Sequence, residues 1–496
     1  MTIINPDNNA ELPYDEVIQR IVDYAYTFNT PSDAALLRAK AALLDSLGVA
    51  IESLKTSREA AALVGPLWPN AAATVSSSGG DTGFHLPGTT HSLDLLKGAF
   101  DMGALIRYLD HNDAFAGAEW GHPSDNLGAI LATADILSRS HINGDGAAGT
   151  ASVTVYRVLL AMIKAYEIQG VFQEHNAFNK VGLDHTLLVK IASTAVVSWL
   201  LGLTVDQALS AVSHAWADGH PLRLFRQSPN AGPRKGWAAG DACMRAVHLA
   251  SLARAGQPGI RTALTDPRWG FYHTLYKDQE FILPRPFGCW VMENIVFKVT
   301  TAEGHALTAV EAALSLTQQL KARNLAATDI TAIRCRTQKP AMVIINKRGP
   351  LHNPADRDHC LRYMVAVVLL KGSQIETADY QNGSPWATDP RVEALRAVIS
   401  MEEDPQFTKD YHDSAVRSCT NALEVTMADG TTLEARVDFP FGHMRREETI
   451  ALVREKAVEN LRLGLCEDRV EKIIKTVTGE GFEEIEVSKF VDLFRA

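Results

Sequence analysis

The chain is predicted to be a mainly α protein built in two parts, and three observations predict it. Apolar residues recur every three to four positions almost without a break from Glu16 to about Leu283, the period of a packed helix. Strict alternation, the period of a half-buried strand, enters only later, at 330–337 and 422–439. The length of 496 residues also exceeds what one ordinary core serves, so two domains are the default.

The helical stretch is marked by Leu37-Ala41-Leu44-Leu47, Leu188-Ile191-Ala195-Trp199 and Ala208-Val212-Ala215. A Gly/Ala-rich insert at 141–152 reads as an exposed loop or linker. The character changes at Pro284-Arg285-Pro286. Beyond it, two alternating runs joined at Asp429-Gly430 carry a strong hairpin signal, and helical runs lie at 306–320 and 361–370. These features predict an all-α domain over 1–285 and a smaller α+β domain over 286–450. Helices within 451–496 are predicted to pack back on the first domain.

Bulk composition narrows the function classes. A net charge of −10 lacks the basic footprint of a sequence-independent nucleic-acid binder, so no nucleic-acid partner is expected. No apolar run reaches a membrane span, so no membrane association is expected either. The first residues resemble neither a secretory signal nor a transit peptide, which predicts a cytoplasmic protein, or a mitochondrial-matrix one if a presequence was removed. Six scattered cysteines include no CxxC pair, which offers no thiolate cluster for zinc or iron–sulfur. Phosphate-loop, dinucleotide-binding, HExxH and GxSxG patterns are all missing.

What remains is a set of polar islands. The richest is YLDHNDAFAGAEWGHPSDN at 108–126, which places Asp110, His111, Asp113, Glu119, His122 and Asp125 between two helical runs. It is either a capped loop or an active site. His185 follows NKVGLD at the mouth of a helix, where capping, core and catalytic roles are all open. Arg223, Arg226, Arg234 and Lys235 make a basic island in an acidic chain, either a solvated loop or an anion site. Lys298 stands among Ile295, Val296, Phe297 and Val299, as a snorkelling surface lysine or as one with a lowered pKa and a task. Asp356, Arg357, Asp358, His359, Arg362 and Tyr363 crowd a helix start, where capping explains most of the pattern. Together these islands supply cations, imidazoles and a carboxylate without a metal cage. That inventory suits proton abstraction beside a carboxylate of a small polyanion, with fixed positive charge holding the enolate-like product.

In this order the islands resemble the MmgE/PrpD family, through AEWGHPSDN, ILATAD, IQGV, NKVGLDH, RKGWAAGDA, WGFY, VMEN, TAVEAA, NPADRDH and YMVAV. The resemblance is strongest to the family's 2-methylcitrate dehydratase branch. It implies an all-α domain with an α+β lid, a homodimer, no metal and no cofactor. The implied substrate is a small tricarboxylate, a 2-alkylcitrate dehydrated to the 2-alkyl-cis-aconitate. The implied site gathers Asp110, His122, His185, Lys235, Lys298 and Tyr363 between the domains, with one histidine as base and the other, or Tyr363, as acid. Arg223, Arg226, Arg234, Arg357, Ala114 and His305 are the expected substrate contacts.

Several positions depart from the branch pattern: Ala114, Leu224, Gln227, Pro233, and a segment from Thr300 to His305 without aromatic rings. They leave two readings open, an ordinary 2-methylcitrate dehydratase or a paralogue for longer alkylcitrates, as in fungal biosynthetic pathways. Within the family a cis-aconitate-type decarboxylase is the alternative. A non-catalytic binding protein is the alternative of a different class, and it predicts these cations and imidazoles dispersed over the surface.

Overall fold

A computed structural model describes residues 12–68, 81–142, 153–226, 230–413 and 415–496. Most of the loop predicted at 141–152, and Gln227, lie outside the described residues. The chain is mainly α. The principal helices of the first part are α1 (Glu16–Thr27), α2 (Asp33–Thr56), α3 (Leu95–Arg107), α4 (Leu127–Ile142), α5 (Val155–His175), α6 (Thr186–Leu200), α7 (Val205–Ala217) and α8 (Arg234–Arg254). Local chemistry sets several of their starts. Ser32 and Asp94 accept backbone N–H groups at the heads of α2 and α3, and Thr204 with Gln207 forms a capping box on α7. Helices α5 and α6 are buried on nearly every face, which is why they read as apolar throughout rather than striped.

One interruption of this helical part was not expected. Two-residue strands β1 (Phe84–His85) and β2 (Ser92–Leu93) pair antiparallel just before α3. Such short strands give alternation no length in which to register.

Helices α3, α4 and α8 pack closely because glycines face one another. A Cβ on Gly103 would stand 2.9 Å from Cα of Gly240, and one on Gly128 would stand 2.6 Å from N of Gly103. A Cβ on Gly240 would meet the Phe100 carbonyl oxygen at 2.3 Å. These contacts hold the end of α3, the start of α4 and the start of α8 around one space.

The second part is a four-stranded sheet in the order β4-β3-β5-β6, from β3 (Ile330–Thr337), β4 (Ile399–Glu403), β5 (Asn421–Met427) and β6 (Thr432–Val437). β3 and β4 run parallel with Cys335 opposite Met401, while β5 pairs antiparallel with both β3 and β6. The hairpin turns at Gly430, whose φ of +85° is the left-handed conformation that favours glycine. Helices α9 (Leu307–Ala322), α10 (Leu361–Lys371) and α11 (Pro390–Val398) complete this part.

Among the described residues, two large hydrophobic clusters are separate from one another. One joins residues from Ile18 to Phe297 with Val453 to Phe494, and the other runs from Val296 to Leu433. The late helices α12 (Thr449–Arg462) and α13 (Glu467–Thr478) belong to the first cluster, with α12 packed on α2. Among the described residues no helix is long and apolar enough to cross a membrane.

Candidate active site

A cavity of about 520 Å³ opens where the two clusters meet. It is reached by Arg107 at the end of α3, the loop at 110–122, the start of α6, the segment from Lys298 to His305, and His359 before α10. Six cationic side chains line it (Arg107, Lys180, Arg223, Arg226, Lys298, Lys339) against three carboxylates (Asp110, Glu119, Glu303). That excess of positive charge fits a polyanion.

One wall is built on Asp110. Its backbone has φ +57°, a left-handed conformation that is costly outside glycine and typical of functional sites. The buried Lys298 Nζ donates to the Asp110 carbonyl at 2.8 Å and to Oδ1 at 2.5 Å, and Arg107 Nη1 donates to Oδ1 at 2.6 Å. Burial alone would raise the Asp110 carboxyl, but Arg107 and Lys298 outweigh it and hold it well below the usual range. His122 stands beside this group, with Nε2 3.7 Å from Asp110 Oδ1. Its Nδ1 lies 2.8 Å from the Asp113 carbonyl oxygen, which can only accept, so Nδ1 carries the proton. Nε2 therefore presents a lone pair, met by Arg107 Nη2 at 2.9 Å. Burial, Arg107 and Lys298 all push the His122 pKa well down, so the ring is neutral.

The facing wall is built on Asp184. Arg226 grips it through Nε at 2.5 Å and Nη2 at 3.1 Å, and Arg223 Nη1 adds a contact at 3.3 Å. Burial is again outweighed, here by the guanidinium groups of Arg226 and Arg223, and Asp184 stays ionised. Arg223 Nη1 also lies 3.1 Å from His185 Nδ1. A guanidinium only donates, so Nδ1 accepts and the proton sits on Nε2, which is buried and has no partner. Burial pushes the His185 pKa well down, against the pull of Asp184. The two imidazole rings are 5.6 Å apart, centre to centre.

The rest of the opening loop holds this arrangement in place. Asp113 accepts from the Ser124 N–H and hydroxyl and from Tyr166, His111 pairs with Glu52, and Glu119 accepts the backbone N–H groups of Phe178 and Asn179. His305 lines the cavity with Nδ1 on Glu303 at 2.8 Å and its ring 5.0 Å from that of Trp120.

Of the expected residues, Asp110, His122, His185, Lys298, Arg223, Arg226 and His305 come together here. Five do not line this cavity. Lys235 sits one layer behind it, with Nζ 2.8 Å from both oxygens of Asp358 and 3.2 Å from His359 Nδ1. The Tyr363 hydroxyl is buried and donates to the Asp379 carbonyl at 2.7 Å, so the acid role considered for it is withdrawn. Arg357 is spent on the Tyr380 carbonyl and Asn382, and Arg234 stacks over Trp237 at 4.3 Å beside a separate pocket. Ala114 is fully buried and paired through its backbone with Val296.

Sequence reasoning missed Arg107, which looked like an ordinary basic residue closing a helix. It also left His359 among capping residues. The structure places its Nδ1 2.5 Å from Asp358 and its Nε2 3.9 Å from Asp110, so it faces the cavity. Among the described residues no three His, Cys, Asp or Glu side chains are grouped to hold a metal.

The MmgE/PrpD N-terminal domain model matches residues 19–283, and the MmgE/PrpD C-terminal domain model matches 301–480. The chain belongs to the MmgE/PrpD family. Within it, the chain is similar to the 2-methylcitrate dehydratase-like protein oryR of Aspergillus oryzae, 65% identical over 100% of this chain and 98% of that one. It is 46% identical to the alkylcitrate dehydratase phiI of a fungal species, over 97% of this chain and 94% of the other. It is also 46% identical to the 2-methylcitrate dehydratase of Escherichia coli, over 98% and 99% of the two chains. The boundary between the two MmgE/PrpD models falls close to the meeting of the two hydrophobic clusters, where the cavity lies.

Proposed function

We propose that this MmgE/PrpD protein is a hydro-lyase that removes water from a 2-alkylcitrate to give the 2-alkyl-cis-aconitate, by acid–base elimination without a metal. The observation that carries the reading is the pair of buried neutral imidazoles with protons on opposite nitrogens, facing one cationic cavity. Relatives named for this chemistry match along nearly the whole chain.

The substrate's carboxylates take up Arg107, Lys298, Arg223 and Arg226. Engaging Arg107 frees the His122 Nε2 lone pair, which removes the proton from the carbon beside a carboxylate. The electron pair of that C–H bond becomes the double bond. Hydroxide leaves the neighbouring carbon and takes the Nε2 proton of His185 in its imidazolium form, which returns to the neutral ring as water departs. The surroundings assign the roles. After burial, the strongest influences on His122 are the cations Arg107 and Lys298, which keep it neutral with its Nε2 lone pair unprotonated. After burial, the strongest influence on His185 is the ionised Asp184, 3.8 Å from Nδ1. A bound trianion raises the pKa of both rings, and His185 is the one placed to take a second proton and act as the acid.

The test is turnover of 2-methylcitrate and longer 2-alkylcitrates, followed by absorbance of the new conjugated double bond, with and without excess chelator. The expected result is the same rate in both. No dehydration of any chain length overturns the reading, and loss of activity in chelator overturns its metal independence.

A further inference from the structure

A second cavity of about 180 Å³ is lined by residues adjacent in the chain to those of the first. Its apolar surface comes from Tyr108, Leu109, Pro233, Pro354, Ala355 and Tyr380. The Tyr380 hydroxyl is turned away to the Thr301 carbonyl at 2.6 Å, which commits its polar end.

Neighbouring residues of the same chain segments line the two cavities. Tyr108 and Leu109 face the apolar side, while Arg107 and Asp110 on either side of them face the polar one. Thr301 faces the apolar side and Lys298 and Glu303 the polar one. Asp358 faces the apolar side and the adjacent His359 the polar one. Lys235 stands at the junction, lining the apolar cavity with its ammonium 3.2 Å from His359 Nδ1. The junction is also a seam, because Lys235 belongs to α8 and Asp358–His359 to the sheet-bearing part.

We propose that the second cavity receives the alkyl chain of the substrate while its carboxylated head occupies the first. The inference rests on the dehydratase reading above and assigns its chain-length specificity to a place. A carboxylate of the head replaces Asp358 on Lys235, and the chain passes the seam beside it into the apolar cavity. This explains why a lysine outside the polar cavity is nonetheless aimed at it. It also explains what the ring-free stretch at Thr300–Thr301 accomplishes: Thr301 leaves open a wall that a large aromatic side chain would fill.

The experiment compares kcat/KM for methyl-, butyl- and hexylcitrate in the wild type, Ala355→Phe and the milder Ala355→Leu. Ala355 lines only the apolar cavity and has no part in the acid–base site. In the wild type each added methylene should raise kcat/KM by about fourfold until the cavity is filled, from the transfer free energy of a buried CH₂. Ala355→Phe should lower kcat/KM for hexylcitrate at least tenfold on that basis and change methylcitrate less than twofold. Ala355→Leu should give the same pattern at smaller amplitude, and it decides the matter if the Phe variant does not fold. No wild-type preference for longer chains overturns the inference. So does equal loss on all three substrates, or no loss on any, in a folded variant. If no alkylcitrate is turned over by the wild type, the dehydratase reading falls and this inference falls with it.

Discussion

The two walls of the cavity use the same parts to opposite ends. Each has an ionised aspartate gripped by two cations, with a neutral histidine beside it: Asp110 with Arg107, Lys298 and His122, and Asp184 with Arg226, Arg223 and His185. On the first wall a backbone carbonyl fixes the proton on the inner nitrogen and leaves a lone pair outward. On the second a guanidinium occupies the inner nitrogen and leaves the proton outward. The difference is set by one acceptor and one donor outside the rings. Residue identity alone therefore does not say which histidine gives and which takes; the partner of Nδ1 does.

The largest effect that tests this contrast is expected from Lys298→Met. It leaves the buried Asp110 carboxylate with Arg107 as its remaining close cation, and removing one partner of a buried ion pair costs about 3–5 kcal/mol. Denaturant unfolding should register that loss, together with abolished turnover. A variant with full stability would mean that the first wall does not depend on this pair.

Next come His122→Gln and His185→Gln. Each should lower kcat/KM by about 10²–10⁴-fold, the range for a lost acid or base. Their pH profiles should differ. His122→Gln should lose the limb along which activity rises as the base deprotonates, and His185→Gln the limb along which it falls as the acid deprotonates. Loss of the same limb in both would break the contrast between the walls.

Tyr363→Phe should matter far less. It removes one buried hydrogen bond to the Asp379 carbonyl, worth about 1 kcal/mol, and should leave kcat within about twofold. A drop of several orders of magnitude would return Tyr363 to the chemistry.

The smallest effect is a pH dependence from Glu119 beside the second wall. Burial, partly offset by Arg223, raises its pKa from 4.5 to about 7. A raised folded-state pKa contributes stability that is present below 4.5 and lost as pH rises through about 7. Glu119→Gln cannot titrate. Its melting temperature relative to wild type should therefore climb between pH 5 and pH 8, and a flat difference would show that Glu119 is not held in its protonated form.

Much of this was legible in the residues. Long helices announced themselves because their apolar faces repeat over many turns, and the hairpin because Asp429-Gly430 sits between two alternating runs. β4 was not legible: five residues ending in two glutamates resemble the tail of the helix before them. In the site, the crowding of His and Asp at 110–122 marked the loop, but Arg107 was hidden by its good fit to a helix end. Lys298 was ambiguous between a surface and a buried role, because an apolar neighbourhood in sequence does not say whether water reaches the ammonium. Tyr363 was drawn in by resemblance and Arg357 by the crowding of charge at a helix start, and their hydroxyl and guanidinium are consumed by carbonyls that only the folded chain brings near.

The glycine contacts between α3, α4 and α8 act as a spacer gauge for the chemistry. The distance between Arg107 on one helix end and Lys235 on another is set by a gap too narrow for a methyl group, little more than one turn from either cation. A single carbon added at Gly240 would push against Phe100, and that displacement would reach the cavity as a change in the span between cations. The spacing of the cations is thus set partly from within the core. A search for altered specificity that samples only the cavity walls would overlook that adjustment.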